Sequence, residues 1–353
     1  MVMNPIVEAF FPKEKILSCH PFGSGLINTT YQLKVEKNRI LNEYILQQLN
    51  HHVFKKPSAV MSNISKVNTH LKSKNYPGKL LEIVPTSEGQ LLYADALGHY
   101  WRVFPFITNS ISFDTVSSKE LAFEAACTFG RFFRYLIDMD ASQLTVTISD
   151  FHNTTRRIRE LKEAYQLDPL GRVYRCNFLT ELLLDLKSLT EKREALDLPL
   201  RITHNDTKFN NVLFDKDSLA GTCVIDLDTL MPGTILSDFG DMVRTFTSPV
   251  SEEEPDLNLV HIRLEYFKAL TGGFLEELGP YLEASEKENL LFGAKLIIYE
   301  QCIRFLTDYL RGDVYYPIRY PDQNLDRAKN QWALLQSFFA QEAEMQQIVE
   351  ALV

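Results

Sequence analysis

Two short apolar segments in the middle of the chain predict a β-hairpin that fixes the position of two polar residues. Segments 212–214 and 223–225 are apolar, and a polar turn that includes Gly221 separates them, which is a hairpin signal. Antiparallel pairing places the start of the first strand beside the end of the second. Asn211 and Asp226 are therefore expected to meet at the open end of the hairpin, although they lie 15 residues apart in sequence.

The residues around this hairpin predict a magnesium site beside a general base. Carboxylate and amide oxygens are hard ligands that suit Mg²⁺, which takes few protein ligands and keeps substrate phosphates. Asp206 lies in the loop before the hairpin, where it is placed to accept a proton from a hydroxyl group. Phosphoryl transfer needs a metal to neutralise charge and a positioned acceptor hydroxyl. The pattern His204-x-Asp206-x₄-Asn211 followed by Asp226 therefore predicts a kinase that uses ATP and Mg²⁺.

A structural interpretation of the same residues remains open. Asn and Asp beside strands often make local turn hydrogen bonds instead of binding ligands. His204 fits a buried scaffold residue as well as a functional one, and Asp228 is equally open. Lys208, like His204 and Asp228, is expected to support the site.

The hydrophobic pattern predicts a two-lobed α+β fold. Residues 1–106 read as a small antiparallel-sheet lobe with one helix over 58–73, and residues 107–353 read as a larger, mainly helical lobe. The sequence predicts strands over 30–35, 44–46, 80–84, 91–94 and 100–106. It predicts later helices over 118–138, 153–165, 176–192, 287–311 and 324–341.

Composition and charge restrict the partners. A net charge of −9 opposes binding to a phosphate backbone, so no nucleic-acid partner is expected. Five dispersed cysteines without a CxxC pair indicate reduced thiols. No signal peptide or membrane helix is apparent, so a soluble, cytoplasmic monomer or weak dimer with no membrane partner is expected.

Several segments resemble a known family. Residues 203–214 (THNDTKFNNVLF), 224–233 (VIDLDTLMPG), 237–244 (SDFGDMVR) and 304–316 (RFLTDYLRGDVYY) are similar to the N-acetylhexosamine 1-kinases. These belong to the aminoglycoside phosphotransferase and choline kinase group, whose fold is protein-kinase-like. The resemblance runs in patches from Phe22 to about Trp332.

The resemblance implies ATP-dependent phosphorylation of the anomeric hydroxyl of N-acetylglucosamine or N-acetylgalactosamine. It implies Asp206 as the base, Asn211 and Asp226 as metal ligands, and four residues near the sugar: Asp226, Thr229, Arg304 and Tyr315. Asp238 and Asp241 recur in the resembling segments and are expected to brace the catalytic loop by hydrogen bonds.

The residues themselves leave Arg304 and Tyr315 open. Arg304 is a charge within an almost entirely apolar helix, which is costly unless the charge is paired. Glu300 and Asp308 are each four residues away, so a structural ion pair competes with a sugar contact. Tyr315 also fits an ordinary loop aromatic.

The nucleotide site departs from the protein-kinase pattern. Protein kinases pair a strand Lys with a helix Glu at the phosphates, but segment 44–48 has no Lys and helix 58–73 has no acidic residue. We expect a neutral substitute, with Gln47 and Asn63 as candidates. Two further parts of a nucleotide site are expected. A short loop of Gly23, Ser24 and Gly25 is expected at the phosphates. An apolar segment between the lobes, with Phe104, Phe106 and Ile107, is expected at the adenine.

Two rival functions remain. One is a kinase of another small alcohol, such as choline, homoserine or an aminoglycoside. The other is a nucleotide-binding pseudokinase, suggested by the missing Lys and Glu.

Overall fold

The computed structural model describes residues 4–23 and 27–353, so Ser24 and Gly25 of the predicted phosphate loop lie outside the described residues. Within that part of the chain the strands are β1 Lys15–Pro21, β2 Thr29–Lys37, β3 Ile40–Leu49, β4 Tyr93–Ala94, β5 Tyr100–Pro105, β6 Ser110–Ile111, β7 Arg201–Thr203, β8 Val212–Asp215, β9 Gly221–Val224 and β10 Met231–Gly233. The helices are α1 Asn4–Phe10, α2 Pro57–Ser73, α3 Lys119–Arg134, α4 Thr154–Leu167, α5 Val173–Asp185, α6 Ser188–Ala195, α7 Ile235–Thr247, α8 Leu264–Leu278, α9 Ala284–Glu288, α10 Leu290–Arg311 and α11 Gln323–Leu352.

The N-terminal lobe is an antiparallel sheet in the order β1-β2-β3-β5-β4, with α2 against it. Strand alternation gives the sheet two different faces. Trp101 and Val103 pack with α1 in a small core, whereas Arg102 and Phe104 point to the other face. Gln47 of β3 is the register partner of Arg102. The second face of the sheet therefore carries polar groups toward the rest of the molecule.

Helix α2 begins at Pro57, which suits the first turn because its missing N–H needs no partner there. Its apolar residues at helical spacing, Val60, Ile64, Val67 and Leu71, are all buried in the large core. That core continues through α3, α7, α8 and α10 of the C-terminal lobe. The predicted two-lobed α+β fold is confirmed.

Several details of the predicted secondary structure are wrong, among them the number of N-terminal helices, because α1 is a second helix in a lobe for which one helix was predicted. Segment 80–84 is not a strand, because Lys79 donates to Thr222 (2.7 Å) while Val84 donates to Val103 (2.9 Å). The segment thus bridges two sheets and forms a ladder with neither. The single helix predicted over 176–192 is two helices, α5 and α6, and α7 and α8 were not predicted.

The predicted hairpin is confirmed. Strands β8 and β9 pair with Val212 opposite Val224. Beyond the ladder, the Ile225 N–H donates to the Asn211 carbonyl (2.9 Å). The hairpin therefore brings Asn211 and the residue before Asp226 together, as antiparallel pairing requires.

Helices α7 and α10 pack through two glycines. A Cβ on Gly240 would lie 2.6 Å from the Gly293 carbonyl oxygen, and a Cβ on Gly293 would lie 2.7 Å from the Leu236 carbonyl oxygen. Such distances are too short for real atoms, so the close approach depends on both glycines. Because α7 also carries Asp238, this packing sets the position of that carboxylate.

We expect Gly240→Ala to lower the free energy of unfolding by about 1–3 kcal/mol, the usual cost of overpacking a core, as measured by urea denaturation. Gly272 in α8 is the matched control, since a Cβ there would meet Phe123 at an ordinary 3.7 Å. Gly272→Ala should be neutral or stabilising by up to about 1 kcal/mol through helix propensity. Equal effects of the two substitutions would contradict this account of the α7–α10 contact.

Candidate active site

The loop after β7 is held by the carboxylate of Asp238 at the start of α7. One Asp238 oxygen accepts the His204 N–H (3.0 Å) and the other accepts the Asn205 N–H (2.6 Å). The Thr207 hydroxyl donates to the Asp238 carbonyl (2.6 Å). Burial raises the pKa of Asp238 to about 8, and the two N–H donors oppose that rise. This geometry braces the loop and keeps Asp238 away from ligands.

His204 is a fully buried connector between the loop and the hairpin. Its Nε2 contacts the Ile225 carbonyl (2.9 Å), and its Nδ1 lies 3.2 Å from the Asp206 N–H. The two contacts are satisfied by a neutral ring with its proton on Nε2. Burial lowers the pKa of His204, which favours that neutral form. The structure therefore gives His204 a scaffold position next to Asp206.

Asp206 is held on both of its carboxylate oxygens. Lys208 Nζ lies 2.9 Å from one oxygen, and Asn211 Nδ2 lies 3.1 Å from the other and 2.8 Å from the Asp206 carbonyl. Burial raises the pKa of Asp206, but the charge and hydrogen bond of Lys208 outweigh it, so the pKa lies below its ordinary value. The carboxylate is thus ionised and oriented.

Asp226 follows β9 in a left-handed backbone conformation (φ 58°). Its side chain is accessible to water in the cleft, and no Lys, Arg or His nitrogen of the described residues lies within 4.0 Å of it. Enclosure by protein raises the pKa of Asp226 to about 7, and the negative charges of Asp228 and Asp206 add to the rise. A carboxylate in this position attracts a cation.

The residues present fit a magnesium ion. Asn211 uses its Nδ2 within the protein, and its Oδ1 accepts no hydrogen bond from the described residues. Asn211 Oδ1 and the Asp226 carboxylate are therefore the two groups that would hold the metal. Over residues 4–23 and 27–353 there is no group of three or more Asp, Glu, His or Cys arranged for a metal, and Mg²⁺ commonly takes one or two carboxylates plus phosphates.

Asp228 is occupied by an ion pair that was not predicted. Arg102 contacts both of its oxygens, one of them at 2.9 Å, and Asn28 Nδ2 donates to it at 2.7 Å. The side chains of Arg102 and Asp228 are both 2% exposed. A lone Arg in the apolar segment 100–106 was the sequence signal for this pair, of the same kind that drew attention to Arg304.

Gln47 and Asn63, the candidates for a neutral substitute of the missing Lys and Glu, do not form a hydrogen bond with each other. Gln47 Oε1 accepts from Arg102 Nε (3.1 Å) and Nη2 (2.9 Å), and its Nε2 donates to Thr30 (2.9 Å). Asn63 instead donates to the carbonyls of Leu230 (2.8 Å) and Thr145 (2.7 Å). Side chains hold the Gln47 amide and backbone groups hold the Asn63 amide, so the two do not contact each other.

The segment predicted to contact adenine lies at the end of β5. Phe104 cannot stack on a base there, because its side chain is buried in the large core. The Phe106 N–H donates to the Glu43 carbonyl (3.0 Å). The Phe106 ring meets the exposed ring of Phe22 edge-on at 5.8 Å. Gly23 adopts φ 81° at the predicted phosphate loop, which glycine tolerates.

A cleft of about 810 Å³ contains the predicted catalytic and sugar residues. It is lined by Asp206, Asp226, Thr229, Arg304 and Tyr315, as well as by Asn205, Lys208 and Asp228. The predicted nucleotide residues Gly23, Gln47, Phe104, Phe106 and Ile107 are not part of this lining. Sequence reasoning missed further lining residues, including Phe151, His152, Gln301 and Tyr316.

Arg304 has neither of the acidic partners that its helix position offered. Glu300 accepts from Thr154 (2.5 Å) and contacts His152 (2.8 Å), and Asp308 accepts the N–H groups of the 314–316 loop. Across the described residues no carboxylate oxygen lies within 4.0 Å of the Arg304 guanidinium. The Arg304 side chain contacts Gln301 Oε1 (3.1 Å) and packs among three aromatic rings, those of Phe151, Tyr315 and Tyr316.

Thr229 and Asp241 differ in what they offer a substrate. The Thr229 hydroxyl donates to the His204 carbonyl (2.6 Å), so its proton is already used. Asp241 was expected to brace the catalytic loop, but it accepts from Arg244 (2.8 Å), and within the described chain it makes no hydrogen bond to residues 203–211. Arg244 also pairs with Glu252 (2.5 Å).

Comparisons with known proteins identify the family and the fold of this chain. The model of the phosphotransferase enzyme family APH matches residues 18–266. A microcompartment-associated aminopropanol kinase has a similar structure, with a TM-score of 0.62, 12% identity, and coverage of 96% of this chain and 98% of that one. A spectinomycin phosphotransferase in complex with ADP and spectinomycin has a TM-score of 0.60 and 13% identity, with coverage of 98% of this chain and 98% of that one. A Plasmodium vivax ethanolamine kinase has a TM-score of 0.55 and 13% identity, with coverage of 89% of this chain and 81% of that one.

No helix in the described ranges is long and apolar enough to cross a bilayer.

Proposed function

Because the chain belongs to the phosphotransferase enzyme family APH, we propose that it transfers the γ-phosphate of ATP to the anomeric hydroxyl of an N-acetylhexosamine. In this proposal residues 1–106 form the nucleotide lobe, and residues 107–353 supply the catalytic loop and the sugar site. The observation that carries the choice of acceptor is the pairing of side chains in the cleft. Among the described residues, the Arg304 guanidinium has no carboxylate within 4.0 Å, whereas most of the cleft carboxylates contact a Lys, Arg or His side chain.

The carboxylates that line the cleft are almost all paired. Asp206 contacts Lys208, Asp228 contacts Arg102, and Glu300 contacts His152. Asp241 and Glu252 share Arg244. An ammonium acceptor such as an aminoglycoside or ethanolamine would need a carboxylate without a Lys, Arg or His contact. Among the described residues that line the cleft, Asp226 is that carboxylate, and it is in the position for the metal. This distribution of charge favours a neutral acceptor.

The aromatic rings of the cleft do not form an open cage for choline. A quaternary ammonium is recognised by aromatic faces around an empty space. Here the Arg304 guanidinium lies 4.9 Å from the Phe151 ring centre, 5.9 Å from that of Tyr315 and 5.8 Å from that of Tyr316. The protein's own cation fills the site that a choline methyl group would take.

A neutral sugar suits the groups that remain. Arg304 has donors beyond its contact with Gln301 and can bind hydroxyl or amide carbonyl oxygens. Tyr315 is 40% exposed at the rim, with its backbone N–H held by Asp308 (2.9 Å). Buried donors left unpaired by a poorly matched acceptor cost orders of magnitude in specificity. The resemblance of residues 203–214 and 224–233 to N-acetylhexosamine 1-kinases selects the acetamido sugars among neutral acceptors.

Asp206 is the proposed general base. Lys208 and Asn211 keep the carboxylate ionised and oriented, so that it can hydrogen-bond the acceptor hydroxyl and take its proton as the bond to phosphorus forms. His204, neutral and buried, fixes the loop through the Asp206 N–H. Asn211 and Asp226 would hold Mg²⁺, which when bound neutralises charge on the phosphates of ATP. Lys208 adds a positive charge at the same point of the cleft.

An acceptor panel tests this function. We expect ADP release with Mg-ATP and N-acetylglucosamine or N-acetylgalactosamine, and phosphorus NMR should show an anomeric phosphate. Glucose, galactose, choline, ethanolamine and kanamycin should give at most weak turnover. Turnover restricted to the amines would contradict the neutral acceptor but keep the phosphotransferase. ADP binding without turnover of any acceptor would favour a pseudokinase.

Asp206→Asn should reduce turnover by about 10²–10⁴, the usual scale for loss of a general base, with affinity for Mg-ADP nearly unchanged. Steady-state kinetics and calorimetry measure the two quantities. Asp217→Asn is the matched control, since Asp217 lies in the exposed hairpin turn next to Asn109, and it should leave both unchanged. Wild-type turnover in Asp206→Asn would remove Asp206 from the mechanism.

A further inference from the structure

Arg102 is a buried charge from the N-terminal sheet that reaches the C-terminal lobe. It lies on β5, on the face that also carries Phe104, and its guanidinium is 5.0 Å from the centre of that ring. Gln47 on the neighbouring strand accepts from Nε and Nη2. Gln47 is in turn held by Thr30 of β2. Three adjacent strands thus fix the direction in which Arg102 points.

Asp228 receives this charge and belongs to the same short segment as the metal carboxylate. Leu227, Asp228 and Thr229 form a 3-10 helix that begins directly after Asp226. Arg102 contacts both Asp228 oxygens, and Asn28, just before β2, donates to one of them. Since Arg102 and Asn28 hold its oxygens and its side chain is only 2% exposed, we assign Asp228 to this contact and not to the metal. It transmits the position of the sheet to Asp226, two residues away.

A second link holds the other end of the segment. Asn63 of α2 donates to the Leu230 carbonyl (2.8 Å). Its side chain is locked by Thr145, whose carbonyl accepts from Nδ2 (2.7 Å) and whose N–H donates to Oδ1 (2.9 Å). Segment 226–230 is therefore fixed from the sheet through Arg102 and from helix α2 through Asn63.

We propose that Arg102, acting through Asp228, is a positioning residue for the magnesium carboxylate Asp226. This inference rests on the proposed function, because it assumes that the phosphates of the nucleotide bind together with Mg²⁺. A planar guanidinium engages both oxygens of a carboxylate in one orientation, whereas an ammonium is a point charge. The forked contact is what fixes the orientation of the segment.

The test is calorimetric titration of the full chain with ADP, in the presence and absence of Mg²⁺, for wild type and Arg102→Lys. The substitution keeps the charge and removes the forked contact. We expect Mg-ADP to bind about 10–100-fold more weakly, the range for loss of residues that orient metal ligands, and the affinity for metal-free ADP to be unchanged. This readout does not require turnover or an acceptor, so it is independent of the sugar assignment.

Arg201→Lys is the matched control. Arg201 makes a forked contact of the same kind with Glu286 (3.1 and 2.8 Å), and neither residue lines the cleft. It should change thermal stability and leave both ADP affinities as they are. If Arg102→Lys behaves like this control, Arg102 is structural and the proposal is overturned. An equal loss of ADP affinity with and without Mg²⁺ would also overturn it, since Arg102 would then contact the phosphates directly.

The double variant Arg102→Gln with Asp228→Asn keeps the experiment decisive if Arg102→Lys fails to fold. Removing both charges together avoids leaving one buried without a partner. The same magnesium-specific loss of ADP affinity is expected, and unchanged Mg-ADP affinity would refute the positioning role. Failure of every acceptor in the panel with normal Mg-ADP binding would reject the proposed kinase activity and leave the positioning role of Arg102 standing.

Discussion

A charge enclosed by protein needs a partner, and the cleft of this molecule is organised around that constraint. Within residues 4–23 and 27–353, six carboxylates line it, those of Asp206, Asp226, Asp228, Asp241, Glu252 and Glu300. All except Asp226 contact a Lys, Arg or His side chain. What is left over is one carboxylate at the end of the hairpin and one guanidinium, that of Arg304, on α10. The first suits a metal ion, and the second suits an oxygen-rich acceptor. Separating the partners of a buried ion pair leaves an uncompensated charge, which is strongly destabilising. The paired residues therefore also hold the cleft in one shape.

Pairing also links the two lobes of a chain whose segment 44–48 and helix α2 lack the Lys and Glu of protein kinases. Arg102 contacts Asp228 across the lobes and is held by Gln47, and Asn63 donates to the Leu230 carbonyl. In our proposal, the missing ion pair does not by itself identify a pseudokinase. Structural neighbours of this chain include kinases whose names specify amine-containing substrates. The fold is shared with them, and our proposal of a neutral acceptor rests on the Arg304 guanidinium lying among the aromatic rings of the cleft.

The sequence was sufficient to predict the features that depend on local pattern. The hairpin, the meeting of Asn211 with the end of β9, and the apolar face of α2 all follow from periodicity and turn residues. Features that depend on the order and register of the strands could not be predicted from the sequence. Gln47 lies opposite Arg102 because β3 pairs with β5, and sequence separation gives no sign of that register. The wrong strand at 80–84 has the same origin, since its hydrogen bonds are divided between Thr222 and Val103. Arg102 itself carried a visible signal, a single charge in an apolar strand.

The most direct test of the central claim uses two acceptors that share one skeleton and differ in charge, N-acetylglucosamine and glucosamine. The ratio of their kcat/KM values should be measured with Mg-ATP at a pH at which the glucosamine amine is protonated. A cleft whose carboxylates are paired and whose free group is a guanidinium predicts a preference for the acetamido sugar of at least about tenfold, which corresponds to about 1.4 kcal/mol. Equal use of the two sugars, or a preference for glucosamine, would contradict the account.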